Sequence, residues 1–215
     1  MAYPKLLSAA DILKTAVHMI EQDGADGLSL RAVASVLGVK APSLYRYFPQ
    51  KEALEVAVVE EILNAMLGRM QAASTSPDPE IRFRKTVDAY LQFARERFQL
   101  YTFLLQSRRP ETYASKAGKA VWKLVVEAAS AVSGLQDDTA AAVAIWSFLH
   151  GYATLEHSGA FGASGPKGGL ERGVEAFLSS FRSRAQPVRK KSPPRATDLR
   201  RAGKRSLRNP TRSSN

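Results

Sequence analysis

Along this 215-residue chain the apolar residues return at intervals of three and four, and no stretch alternates apolar and polar side chains convincingly. A period near 3.6 gathers such residues on one face of a helix, whereas a half-buried strand needs a period of two. The pattern commits the chain to an all-α fold of about nine helices that bury their apolar faces against one another.

Punctuation divides the pattern. Ser8 and Asp11 resemble a capping box that opens a first helix, with Ile12, Ala16, Met19 and Ile20 on one face and Gly24 and Gly27 at its end. Ser29 caps a second helix, whose stripe is Leu30, Val33, Ala34 and Leu37, and Gly38 follows as a left-handed stop. A third, very short helix starts near Pro42, a residue suited to a first turn, and Pro49 stops it. In its span of Ala41 to Tyr47, Leu44 and Phe48 are spaced to pack inward, so Ala41, Pro42, Ser43, Tyr45, Arg46 and Tyr47 are left to face outward. A longer helix runs from about Gln50 to Met70, and the Ser/Thr/Pro stretch 72–80 breaks it. Further helices are expected at roughly 80–98, 99–106, 111–132, 137–160 and 169–184, the last two separated by a Gly-rich loop. The expected organisation is an N-terminal three-helix domain over 1–50, a helical body over 51–185, with the linker to the body near 72–80, and a tail over 186–215.

The net charge of +11 is unevenly placed. The tail holds ten Lys or Arg against one Asp, is rich in Pro and poor in apolar residues, and is expected to be disordered. The stretch 52–185 holds fifteen cations against fifteen anions, while no acidic residue occurs between Asp26 and Glu52. Arg31, Lys40, Arg46 and Lys51 are therefore expected to stand unneutralised. Two short helices joined by a tight Gly turn, with cations on one side, are how a chain presents a helix to the major groove of DNA.

Several function classes are disfavoured. The uncharged run Thr139 to Leu155 carries His150, Gly151, Ser147 and two Thr and falls short of the ~20 mostly apolar residues that a bilayer core needs, so a buried helix and no membrane partner are expected. With no Cys there is no disulfide framework or thiolate metal site, and no long apolar leader opens the chain, so a cytoplasmic location is expected. His150 and His157 share a helix face near Glu156, but a zinc site needs three or four converging ligands. No phosphate loop or nucleophile motif appears, and neither a cofactor nor an enzymatic activity is expected.

The first 60 residues resemble the TetR family of transcriptional regulators. The resemblance rests on GADGLSLRAVASVLGVKAPSLYRYFPQKEAL, with Gly38-Val39, Ser43-Leu44-Tyr45, the aromatic pair Tyr47-Phe48 and Lys51 opening the fourth helix. Farther on, Trp146, His150 and Gly151 resemble the Trp-His-Gly signature of one C-terminal subgroup. Lys40 stands where members of the family often have Ser or Thr, and Ala41 where they are often polar, so base preference does not carry over.

The resemblance implies a DNA-binding regulator, by default a repressor, that reads a pseudo-palindromic operator as a homodimer and is released by a small molecule. Arg31, Lys40, Ala41, Pro42, Ser43 and Arg46 are then the candidates for reading bases, while Tyr45, Tyr47 and Lys51 would hold phosphates. It also implies an effector pocket for an apolar or aromatic molecule, for which Phe98, Tyr101, Phe103, Trp122, Trp146 and His150 are the candidates. The dimer contact is placed on the last two long helices, through Phe148, Tyr152, Leu155, Phe177 and Phe181. The competing expectation is a nucleoid-type protein that grips DNA non-specifically through its basic tail.

Overall fold

The computed structural model describes residues 7–107, 114–162, 165 and 167–185, with the side chains of 183–185 left aside. The tail over 186–215 and the start of the helix expected at 111 lie outside the described residues. Among the described residues there are nine helices and no strand. They are α1 (Ala9–Asp23), α2 (Leu30–Val36), α3 (Pro42–Tyr45), α4 (Lys51–Ala73), α5 (Pro79–Glu96), α6 (Phe98–Gln106), α7 (Lys116–Ser133), α8 (Thr139–His157) and α9 (Gly169–Ala185).

Local chemistry sets these boundaries. Ser8 Oγ accepts from the Asp11 N–H at 3.1 Å and donates to the Asp11 carboxylate at 2.6 Å, so α1 opens with the expected box. Ser29 caps α2 by accepting from the Ala32 N–H. Gly38 has φ 66°, a left-handed conformation that costs an L side chain about 1–2 kcal/mol, and it closes α2. There the Val39 N–H reaches the Ala34 carbonyl and the Gly38 N–H reaches Ser35, which together satisfy the carbonyls at the helix end. Asp78 caps α5 through the N–H groups of Glu80 and Ile81.

The apolar stripes then meet. Ile12, Ala16 and Ile20 of α1, Leu30, Val33 and Ala34 of α2 and Leu44 of α3 are buried together, with Leu54 and Val58 of α4 beneath them. α4 packs on α5 and α7, and α7 also meets α5, α8 and α9. The expected linker at 72–80 is a short connection within this packing. Ser74 Oγ bonds the Met70 carbonyl and lies 2.8 Å from the buried Thr86 hydroxyl of α5.

The three-helix head is held to the body twice. α4 runs unbroken from the head at Lys51 into the body, and α1 packs against α6. At the second junction Arg97, which precedes α6, donates to Glu21 of α1 at 2.6 Å. Arg95 of α5 makes a two-pronged pair with Glu156 of α8, and Arg182 of α9 does the same with Glu80 of α5.

Candidate DNA interface and effector cavity

The α2–α3 unit presents its polar side outward. Arg31, Lys40, Pro42, Tyr45 and Arg46 are exposed, and Ala41 and Ser43 are half-buried beside them, while Leu44 and Phe48 point into the core. α3 is a single turn, shorter than the expected span of 41–47. The Lys40 and Ala41 carbonyls accept from Ser43 and Leu44, and the Leu44 carbonyl accepts from Tyr47 and Phe48, so the turn is continued by hydrogen bonds at both ends. Among the described residues no carboxylate lies within ion-pair distance of Arg31, Lys40 or Arg46.

Two of the expected residues have partners within the chain. The Tyr47 hydroxyl donates to the Leu7 carbonyl at 2.5 Å, so its proton holds the start of the chain against α3 and is not offered outward. Lys51 is not unneutralised, because its ammonium lies 3.5 Å from Glu55 one turn along α4. Lys51 itself is exposed and a single pair of this kind is weak, so Lys51 keeps most of its reach.

The body encloses a cavity of about 310 Å³ between α4, α5, α6, α7 and α8. Tyr101, Trp122 and Trp146, all expected there, line it. Tyr90 of α5, one of the aromatic rings in which the body is rich, lines it too, whereas sequence reasoning missed Leu63 and Met66 of α4, Leu104 and Leu105 of α6 and, on α7, Gly118, Lys119, Val121 and Val125. The aliphatic positions carry no signal that separates a cavity wall from ordinary core, and Lys119 shares the charged stripe of Lys116, Lys123 and Glu127, so nothing in the sequence sets it apart.

His150 stands one layer back: its Nδ1 is 3.0 Å from the Tyr101 hydroxyl, which is 2.8 Å from that of Tyr90. Burial pushes the Tyr101 phenol up to about 12, against a smaller opposing effect of its bond with Tyr90. Phe98 and Phe103 are not in the wall. Phe98 stacks on His157, and Phe103 is buried in the core, because α6 turns those positions away from the cavity. His150 and His157 thus go to different partners, and among the described residues no group of three potential ligands converges for a metal ion.

The expected dimer residues also divide. Phe181 meets Phe83 of α5 edge-on at 5.9 Å, and Tyr152 packs between Phe148 and Phe161, so these two are buried within the protomer. Phe148 and Phe177 touch each other and are half-buried, whereas Leu155 is 48% exposed. Val143 and Trp146 of α8 are also exposed. Among the described residues no helix is long and apolar enough to cross a membrane.

Comparison with known proteins agrees with this geometry. Residues 12–58 match the family described as bacterial regulatory proteins, tetR family, and residues 83–181 match the tetracyclin repressor-like C-terminal domain. An uncharacterized HTH-type transcriptional regulator of Mycobacterium tuberculosis is 30% identical over 164 residues, which is 74% of each chain. A solved structure of a Rhodococcus sp. RHA1 protein of unknown function superposes with a TM-score of 0.69 at 24% identity, covering 86% of this chain and 100% of that one. BioQ, solved with its double-stranded DNA operator, superposes with a TM-score of 0.60 at 17% identity, covering 83% of this chain and 99% of that one.

Proposed function

The chain belongs to the TetR family of DNA-binding transcriptional regulators, and from that premise we propose that it is a homodimeric repressor released from a pseudo-palindromic operator by a small apolar or aromatic effector. The observation that carries the reading is the exposed surface of Arg31, Lys40 and Arg46 on the α2–α3 unit, free of carboxylates among the described residues. Arginine and lysine donors suit guanine edges and phosphates, Ala41 suits a thymine methyl, and the exposed Tyr45 hydroxyl suits a phosphate oxygen. Lys51, at the start of α4, lies where the helix dipole also favours a phosphate.

One such unit gives modest affinity, so two copies related by a twofold axis would read half-sites about 34–36 Å apart, or a multiple of that distance. The exposed side chains Val143 and Leu155 of α8 and the rings of Phe148 and Phe177 are the surface for that contact. The domain division at 1–50, 51–185 and 186–215 follows the same reading, with α4 shared between head and body.

Two elements lead from the cavity to the head. α6 carries Tyr101, Leu104 and Leu105 in the wall and packs on α1, and α4 carries Leu63 and Met66 and begins at Lys51. An effector that fits better when these helices are displaced shifts the population toward heads spaced wrongly for the operator. A coupling of ~1–3 kcal/mol corresponds to roughly a 5- to 150-fold loss of affinity.

Selection of bound sequences from random duplexes tests the reading. The expected result is an enriched palindrome. Binding without an enriched sequence, with an affinity that collapses as salt rises, would favour the non-specific, tail-driven alternative instead.

A further inference from the structure

The cavity has a polarity that the reading above leaves unused. The side chains that line it are apolar except for two tyrosine hydroxyls, the indole N–H groups of Trp122 and Trp146, and one charge, that of Lys119. The hydroxyls of Tyr90 and Tyr101 bond to each other and onward to His150, so the inner wall is satisfied within the protein and demands no polar group from a ligand. Tyr101 is fully buried and its ionisation is opposed, which marks that end as a poor home for charge.

The other end is open. Trp122 and Trp146 are 38% and 37% exposed, and Lys119 beside them is exposed. Among the described residues no carboxylate lies within ion-pair distance of Lys119. Glu60 of α4 accepts from the Ala117 N–H through Oε1 at 3.1 Å, its Oε2 is buried with no hydrogen-bond partner among the described residues, and Lys123 of α7 is paired with Glu127. The amides of Gly118 and Lys119 are likewise taken, by the Ser115 hydroxyl and carbonyl, so the side chain of Lys119 is the anion-binding group here.

At the ~30 Å³ that a water molecule occupies in the liquid, the cavity holds on the order of ten non-hydrogen atoms. We propose that the effector is an amphiphilic monocarboxylate, whose apolar body fills the cavity against Tyr90 and Tyr101 and whose carboxylate is bound at the mouth by the Lys119 ammonium. The proposal rests on the reading of this cavity as the effector site, and it adds the sign and position of the ligand's charge.

The chain's two tryptophans both line the cavity, so intrinsic fluorescence reports binding directly. The full-length protein is titrated, below micellar concentrations, with sodium decanoate, decan-1-ol and decylamine, and in parallel each compound is tested for release of the selected operator. Lys119→Met keeps the stem and removes the charge. The expected result is that the ratio of decanoate to decanol affinity falls about five- to tenfold in the variant while decanol binding is unchanged. Among saturated carboxylates, affinity should rise about fourfold per methylene and level off near ten non-hydrogen atoms.

An unchanged ratio, or decylamine bound more tightly than decanoate, overturns the proposal and leaves the cavity as an effector site for neutral or cationic compounds. If none of the three compounds alters fluorescence or operator binding, the reading of the cavity falls and the proposal falls with it.

Discussion

Gly173 is the position at which a single methyl group tests the packing of the last two helices. It lies inside α9, and a Cβ built there would stand 2.8 Å from Cε2 and 2.9 Å from Cε1 of Phe148, with Cζ closer still. In an open helix interior Gly→Ala gains ~1 kcal/mol. Here the ring of Phe148 must move, and it is confined by Phe177 at 5.7 Å and Tyr152 at 6.2 Å.

Forcing a packed ring off its rotamer costs ~1–3 kcal/mol, and the part of the ring driven into water loses further burial. The balance for Gly173→Ala is a destabilisation of about 1–2 kcal/mol, or a fall in Tm of roughly 2–8 °C for a chain of this size. Thermal melts at one fixed protein concentration measure it, since association would shift Tm by mass action. Phe148→Leu made together with Gly173→Ala should recover at least half of the loss, because the two residues compete for one space. A Tm equal to or above that of the parent would refute the argument, and so would strict additivity in the double variant.

The remaining predictions concern the head and the cavity wall. Tyr47→Phe strands the Leu7 carbonyl and should cost about 1 kcal/mol of stability with little effect on operator affinity; Tyr45→Phe should do the reverse, and an unaltered melt with weakened operator binding for Tyr47→Phe would return it to the phosphate role. Lys40→Ala should lower the log–log salt slope of operator binding by about 0.9 if Lys40 meets a phosphate, and should relax base preference at one position if it meets guanine. The Tyr101 phenol is raised from 10.0 to about 12 in the folded chain, so its contribution is whole below pH 10 and is lost as pH climbs toward 12. The stability difference between the parent and Tyr101→Phe should therefore be flat below pH 10 and fall by about 1.4 kcal/mol per unit above it, as read by denaturant titration.

The head was readable because its signals are local. Ser29, Gly38 and Pro42 act on the backbone within four residues of themselves, and the acid-free run around them needs no knowledge of tertiary contacts. The fate of Tyr47 was not readable, because the carbonyl it meets lies 40 residues earlier and nothing in the spacing distinguishes a tyrosine facing DNA from one facing the chain's own beginning. In the body the helices were placed well, yet Leu63, Met66, Leu104 and Val125 follow the same apolar rhythm whether they face a neighbour or a cavity. For that reason the spacing did not reveal that Phe98 and Phe103 lie outside the cavity wall and that Phe181 packs on Phe83. Which aromatic faces what depends on how each helix is rotated in the bundle, and that is fixed by contacts among distant segments.

α4 spans 23 residues without interruption. Twelve residues separate Leu63 from Lys51, a length of about 18 Å at the usual helical rise, and a rigid rod of that length multiplies small motions. A tilt of about 6° about Leu63 would carry its far tip roughly 2 Å, and in the proposed dimer the twofold-related copy would move oppositely. The separation between two grips on a duplex would then change by up to about 4 Å, more than a hydrogen bond tolerates. A displacement no larger than one bond length at the inner end is therefore enough to be felt outside.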